Sequence, residues 1–381
     1  MARLFLYAGT VIVGAVVGVG PHEPIAGPPA LAPRAHTTAL VQSSPTAVDD
    51  ASLPDTRYPA VVALWEAGRP ADALTALERQ AGSADGDTPL EATILQARLR
   101  AAAGEYGRSA ELWDEIRTRE RSLASVALRA EVESLVRADK RDRADELLTG
   151  QSSARYGDLW AMIAESYRFS GQLDRAAALY RRALANAPSG AVSDGAALGL
   201  AASLEQAGSA DVALSVLRDL QLRFRQPATF ARARAQAQRL ANASHHLVRP
   251  YSERDYPSLT DRLRNLSAYD DALAVLEDWA RAYPANAERI EALSIDTLYR
   301  ARRDDEADER AADFLKKYPD SSQVPDIRVL QFRLDVRKGR TAGVRSRGRA
   351  LWAGEVPGVS FADRLSLGRL LAAYLVGIGE L

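Results

Sequence analysis

The chain has no cysteine, and lysine is almost absent, with only Lys140, Lys316, Lys317 and Lys338. Without cysteine there can be no disulfide, zinc-thiolate site, thiol catalysis or lipid-modified N-terminal cysteine. Arginine supplies nearly all the positive charge, and this usage is typical of a GC-rich bacterial gene. The 49 basic and 50 acidic residues almost cancel, which argues against a nucleic-acid binder, because such proteins need a basic surface.

Histidine and catalytic motifs are also scarce. Two of the four histidines lie near the N-terminus, and the other two, His245 and His246, are adjacent. Adjacent residues project in different directions from a helix, so we interpret this pair as surface residues rather than metal ligands. The sequence has no phosphate-binding Gly-Lys-Ser/Thr loop, His-Glu-x-x-His or Gly-x-Ser-x-Gly motif. We predict no catalytic, cofactor-binding or metal-binding residue, and no cofactor.

The only long apolar run is at the N-terminus. Residues 4–20 carry no charge, and Pro21 begins a stretch rich in Pro, Ala, Ser and Thr. We predict that residues 1–21 are a signal peptide or a membrane anchor, because the run is slightly short for a permanent span. Residues 22–56 lack apolar periodicity and are predicted to be a disordered linker.

From residue 57 onward one pattern recurs about every 35 residues. It consists of an apolar helix, a turn with glycine or a small polar residue, and a second helix with a small residue near its start. The best copy, residues 157–188, resembles the tetratricopeptide repeat (TPR) position by position. Its repeat positions are Trp160, Tyr167, Gly171, Ala176, Tyr180, Ala183 and Pro188. The small residue allows the helices to cross closely, the glycine permits a left-handed turn, and the proline ends the unit.

Weaker copies keep the turn and the small residue five positions later. The turn and small residue are Gly68 with Ala73, Gly104 with Ser109, Asp139 with Ala144, Gly208 with Ala213, and Ser267 with Ala272. The sequence therefore predicts an all-α, TPR-like, right-handed superhelix. Its repeats occupy residues 57–226 and 257–381, separated by an irregular helical break at 227–256. The chain is expected to end mid-repeat, on a turn after Tyr374 and Leu375, either because it is truncated or because a partner covers that end.

Three local features suggest chemistry. The acidic residues 304–309 lack calcium-loop spacing and are interpreted as the start of a helix. Residues 336–354 carry six basic and no acidic residues; they are interpreted as a solvated face, with an anionic partner as the alternative. Glu165 and Ser166 resemble the catalytic Glu-Ser pair of lytic transglycosylases, but the accompanying Gly-Leu-Met-Gln type motif is missing.

Two functions of different class follow. The first is a non-enzymatic scaffold of the bacterial cell envelope, exported to the periplasm or held at the inner membrane, that binds a protein or peptide partner. Residues 314–321 resemble outer-membrane assembly lipoproteins with TPRs, which implies a role in assembly, although the lipid-bearing cysteine of that family is absent. The alternative is the noncatalytic helical region of a truncated lytic transglycosylase-like enzyme, which would associate with peptidoglycan.

Overall fold

The computed structural model describes residues 57–81, 88–149, 156–187, 190–244 and 248–380. The predicted signal or anchor segment 1–21 and the predicted linker 22–56 lie outside the described residues. So do Pro188 and all four histidines. The predictions made for these positions stay predictions.

The described residues contain eighteen α-helices and no β-strand, which confirms the predicted all-α class. The helices are α1 (Pro59–Glu66), α2 (Pro70–Ala81), α3 (Leu90–Ala102), α4 (Tyr106–Arg119), α5 (Ala124–Arg137), α6 (Arg141–Leu148), α7 (Gly157–Phe169), α8 (Leu173–Asn186), α9 (Ala191–Gln206), α10 (Ala210–Arg223), α11 (Pro227–Ser244), α12 (Asp255–Asn265), α13 (Tyr269–Ala282), α14 (Ala287–Arg300), α15 (Asp304–Lys317), α16 (Val324–Arg337), α17 (Thr341–Ala353) and α18 (Phe361–Gly377).

Sixteen of these helices form eight pairs, each with a first and a second helix packed together: α1 with α2, α3 with α4, α5 with α6, α7 with α8, α9 with α10, α12 with α13, α14 with α15 and α16 with α17. One residue in the left-handed conformation joins each pair. These residues are Gly68, Gly104, Asp139, Gly171, Gly208, Ser267, Arg302 and Gly339, with φ between 59° and 81°. The fold is therefore a TPR-like solenoid of stacked helix pairs; the hand of its superhelix stays a prediction.

The same hydrogen bonds close these turns. At Gly171, the Gln172 amide donates to the Tyr167 carbonyl at 3.0 Å, and the Gly171 amide donates to the Arg168 carbonyl at 3.1 Å. This is the Schellman arrangement, which satisfies carbonyls left free at the end of a helix and needs one left-handed residue. Because few residue types adopt the left-handed conformation readily, the turn position can usually be recognised in the sequence.

Small residues near the start of the second helices pack completely out of solvent. Their relative exposure is 0% at all seven positions, namely Ala73, Ser109, Ala144, Ala176, Ala213, Ala272 and Ala307. Larger side chains at these positions would separate the two helices of a pair. Apolar clusters then join successive pairs, and the largest runs from Ala110 in α4 to Leu240 in α11.

The stack is interrupted at α11. Residues 227–256, predicted as an irregular helical break, contain this regular helix of 18 residues, which packs against α9 and α10. The departure from the repeat is that α11 has no second helix; residues 248–254 instead lead to α12. None of the helices in the described ranges is long and apolar enough to cross a bilayer.

Candidate interaction surface

The residues of the best repeat belong to the core. Trp160, Tyr167 and Tyr180 are at most 3% exposed, and Ala176 and Ala183 are 0% exposed. Gly171 has φ of 78° and forms the turn. Side chains this deeply buried hold helices together and offer almost no surface to a partner. A binding surface must therefore use other positions.

Tyr180 also packs against the first helix of the next pair. Its ring lies against Gly199 in α9, so closely that a Cβ on Gly199 would overlap the ring. Its hydroxyl donates to the carboxylate of Glu165, which also accepts hydrogen bonds from Arg168 Nε at 3.0 Å and Nη2 at 2.5 Å. Burial alone would raise the pKa of Glu165, but the hydrogen bonds from Arg168 and Tyr180 outweigh it and lower that pKa. A general acid needs the opposite shift, so this environment does not favour catalysis by Glu165.

A second buried tyrosine is anchored in a similar way. The hydroxyl of Tyr167 donates to Asp142 at the start of α6, and Arg175 Nη1 lies 2.7 Å from the same carboxylate oxygen. Burial and the bond to Asp142 raise the pKa of Tyr167 to about 12. This network joins α6, α7 and α8. Its function is to fix the stacking of neighbouring pairs.

The first helices of neighbouring pairs approach one another more closely than the second helices do. α5 contacts α7, α7 contacts α9, and α14 contacts α16, whereas no contact of comparable extent joins successive second helices in the described residues. Two ion pairs bridge first helices directly: Arg129 in α5 with Asp158 in α7, and Arg264 in α12 with Asp296 in α14. The first helices therefore line the inner side of the stack.

Equivalent positions on the first helices form a row along this inner side. We define the inner row as the residue six positions before each left-handed turn. From α3 to α9 it consists of Arg98, Glu133, Glu165 and Ala202, and from α12 to α16 of Asp261, Asp296 and Arg333. Because the pairs stack in register, these side chains follow one another from pair to pair. Sequence analysis did not identify this row, although its spacing from the turn residues would have located it.

Arg98 and Glu133 stand out in the inner row because both are half-buried and neither has a hydrogen bond or an ion pair among the described residues. Burial lowers the pKa of the Arg98 guanidinium. Burial also raises the pKa of the Glu133 carboxylate, despite the nearby charges of Arg129 and Arg137. Both groups have thus lost water without gaining a hydrogen-bond or ion-pair partner in the described part of the chain, which is an unfavourable state for a charge.

The two charge-biased segments found in the sequence pair with each other. The acidic residues begin α15, as expected. Arg337 Nη1 lies 2.5 Å from Asp304, Lys338 Nζ lies 2.5 Å from Asp305, and Arg340 Nη2 lies 2.5 Å from Asp308. These contacts join the pair α16 and α17 to the preceding pair. The basic segment is therefore neither a solvated face throughout nor a free site for an anionic partner, because three of its charges are used in stacking.

Within the described ranges, no group of three or more His, Asp or Glu side chains is arranged to hold a metal ion. An open groove of about 960 Å³ lies between the end of α10 and α12. It adjoins the interruption at α11, where the regular stacking of pairs stops.

Comparison with known proteins finds no protein-family model and no curated protein that matches the sequence. Among solved structures, the chain is similar to the TPR domain of P58(IPK), at 15% identity and a TM-score of 0.28, over 84% of this chain and 98% of that one. It is also similar to the TPR2AB domain of yeast Sti1 in its complex with pHSP90, at 12% identity and a TM-score of 0.26, over 83% and 96% of the two chains. At such scores the whole structures superpose poorly. The TPR-like fold is established by the helix pairing and turns of the chain itself.

Proposed function

We propose that this protein is a non-enzymatic scaffold that binds a protein or peptide partner on the inner side of its first helices. The observation that carries the proposal is the pair Arg98 and Glu133, two half-buried charges on consecutive first helices that form no hydrogen bond or ion pair with any described residue. A partner carboxylate at Arg98 and a partner cation at Glu133 would relieve the lost solvation of both. Charge-assisted hydrogen bonds formed in such partly dry surroundings are among the stronger polar contacts.

Apolar surface accompanies these charges. Three positions before each turn, the first helices carry Trp65, Ala101 and Val136 in α1, α3 and α5. Trp65 and Val136 are partly exposed, so each retains apolar area for a contact. Binding surfaces commonly combine aromatic or aliphatic anchors with a few charged groups. A peptide lying along the inner side would cross several helix pairs and use both kinds of anchor.

We further propose that the protein acts in the bacterial cell envelope. This rests on the sequence of residues 1–21, whose uncharged run after Arg3 is typical of an export signal or an inner-membrane anchor. Absence of catalysis is part of the same proposal, and the lowered pKa of Glu165 supports it. An assembly role is a narrower proposal that rests on residues 314–321 alone.

Affinity capture tests the scaffold proposal. The tagged full chain and its double variant Arg98→Ala with Glu133→Ala are incubated with bacterial envelope extract, and bound proteins are identified by mass spectrometry. We expect a defined protein to be enriched by the native chain and lost with the variant. Because neither charge has a hydrogen-bond or ion-pair partner among the residues that the structure describes, we expect the fold to tolerate removal of both, and thermal melting verifies this.

The matched control is Arg108→Ala with Glu111→Ala, which removes one charge of each sign from the exposed face of α4. It should retain the captured protein. A peptidoglycan pull-down in parallel addresses the transglycosylase-like alternative. Retention on peptidoglycan without any specific protein would contradict the scaffold proposal.

A further inference from the structure

The interruption at α11 leaves an open groove. This break groove lies between residues 222–225 at the end of α10 and one face of α12, and its volume is about 960 Å³. Elsewhere a first helix packs on the pair that precedes it. Here the preceding element is the single helix α11, so part of the face of α12 around Asp261 and Leu266 stays open to solvent.

The break groove carries an excess of positive charge. Arg223, Arg225 and Arg262 line it, and within the described residues none of the three forms an ion pair with a carboxylate. The only acidic residue in the lining, Asp261, already pairs with Arg264 at 3.2 Å. The lining thus carries three guanidinium groups against one carboxylate, and these guanidinium groups are available to the carboxylates of a partner.

Arg262 is held in place for binding. Its Nη1 donates to the carbonyl oxygen of Leu222 at 2.7 Å, and its guanidinium lies 5.4 Å from the centre of the Phe224 ring. Phe224 is 1% exposed and packs in turn against Phe230, with ring centroids 5.1 Å apart. A guanidinium with a fixed orientation binds a carboxylate with less loss of conformational freedom than one on a mobile side chain.

Apolar area is present beside these charges. Leu266 is 41% exposed at the end of α12, although it is a large aliphatic residue. A polyanion such as a nucleic acid needs an extended basic surface that follows many phosphates, whereas this groove is short and half apolar. A peptide in which carboxylates alternate with aliphatic or aromatic side chains fits the charge and the polarity of the groove better.

We propose that the break groove binds an acidic linear segment of a partner protein, with partner carboxylates on the three arginines and an apolar partner side chain against Leu266. The proposal rests on the scaffold function proposed above and assigns it a second contact, distinct from Arg98 and Glu133. It also gives the interruption at α11 a purpose, because a continuous stack would close the groove.

Fluorescence anisotropy with defined peptides tests this proposal. The probe is a labelled, capped peptide in which aspartate and glutamate alternate with leucine and phenylalanine, titrated with the full chain. The double variant Arg223→Glu with Arg225→Glu should weaken binding at least about tenfold, since attraction becomes repulsion. The matched control, Arg232→Glu with Arg239→Glu, makes the same charge change on the exposed face of α11 and should stay within about twofold.

The apolar contact is tested separately. Leu266→Ser should weaken binding severalfold, while Val212→Ser, at a residue 49% exposed on α10, should not. Replacing leucine and phenylalanine in the peptide by serine should have the same effect as Leu266→Ser. Equal losses in the control variants, no binding of the acidic peptide, or preference for an oligonucleotide of equal charge would each overturn the proposal.

The two proposals fail in different ways. If the acidic peptide does not bind but a partner is still captured through Arg98 and Glu133, only the break groove is wrong. If the peptide binds and its binding depends on Arg223 and Arg225, while capture does not depend on the inner row, the groove stands and the inner-row site is wrong.

Discussion

The ring of Tyr180 in α8 lies directly on Gly199 in α9, with no space for a side chain between them. Gly199→Ala should destabilise the fold by about 1–2 kcal/mol, because overlap in a packed core costs more than the helix propensity of alanine contributes. Gly195 in the same helix has no heavy atom within 4 Å of an added Cβ. Gly195→Ala should therefore stabilise by roughly 0.5–1 kcal/mol. Denaturant unfolding of both variants measures the contrast, and a loss of equal size at both positions would contradict it.

The turn at Arg302 offers a gain in stability. Arg302 has φ of 62°, which is unfavourable for a residue with a side chain, and its guanidinium forms no hydrogen bond with any described residue that substitution would remove. Arg302→Gly should stabilise by up to about 1 kcal/mol, after allowing for the greater freedom of glycine in the unfolded chain. Arg302→Ala keeps the unfavourable φ and is the control; it should change the free energy of unfolding by less than about 0.5 kcal/mol.

The reverse experiment uses Gly171. Its φ is 78°, and an added Cβ would have nothing within 4 Å, so the effect of Gly171→Ala comes from backbone conformation alone. We expect a loss of about 1 kcal/mol. Thermal melting compares Gly171→Ala with Arg302→Gly. We expect changes of opposite sign in the melting temperature, and a stabilising Gly171→Ala would show that the turn is not held in the left-handed conformation.

The network of Glu165, Arg168 and Tyr180 predicts a pH dependence. The folded-state pKa of Glu165 is lowered, so its contribution to stability is present above the unfolded pKa and is lost as pH falls through the folded pKa. Glu165→Gln should cost about 1 kcal/mol at neutral pH, a modest value because the side chain is 41% exposed. The difference in melting temperature from the native chain should shrink below about pH 4. A difference that stays constant with pH would refute this assignment.

The link between the acidic and basic segments predicts an effect on stacking. Asp308 lies 2.5 Å from Arg340 and 3.6 Å from Lys338, and its side chain is 22% exposed. Asp308→Asn should destabilise by about 1–2 kcal/mol, because two cations lose one partner. Asp313→Asn is the control, since the pair of Asp313 with Lys316 is largely exposed; it should cost less than about 0.5 kcal/mol. High salt should reduce the difference between the two variants.

Sequence periodicity predicted the repeats well because their requirements are local. A left-handed turn needs glycine or tolerates a few other residues, and a close crossing needs alanine or serine. Gly171 and Ala176 are therefore visible without any structure, as are the weaker copies at Gly68 and Gly104. Where the signal was degenerate, as at Arg302, the hydrogen bonds of the turn are nevertheless the same.

Charge predictions were less successful because the partner of a charged side chain is set by stacking. Arg337 and Asp304 are 33 residues apart and lie on successive pairs. Nothing in the local sequence shows that the basic segment finds its counterions there. The same holds for Arg98 and Glu133. Their burial depends on the side chains of neighbouring helices, and the local sequence does not show that no opposite charge among the described residues lies within bonding distance of them.

The sequence by itself determined the helical class, the spacing of the turns and the buried positions of each pair, since these follow from backbone conformation and side-chain size within about 35 residues. Only the tertiary structure decided which charges are paired, which face of the first helices lines the inner side, and that a groove opens beside α11. Those features arise when successive pairs pack against each other. A local sequence pattern does not specify contacts between residues that are far apart in the chain.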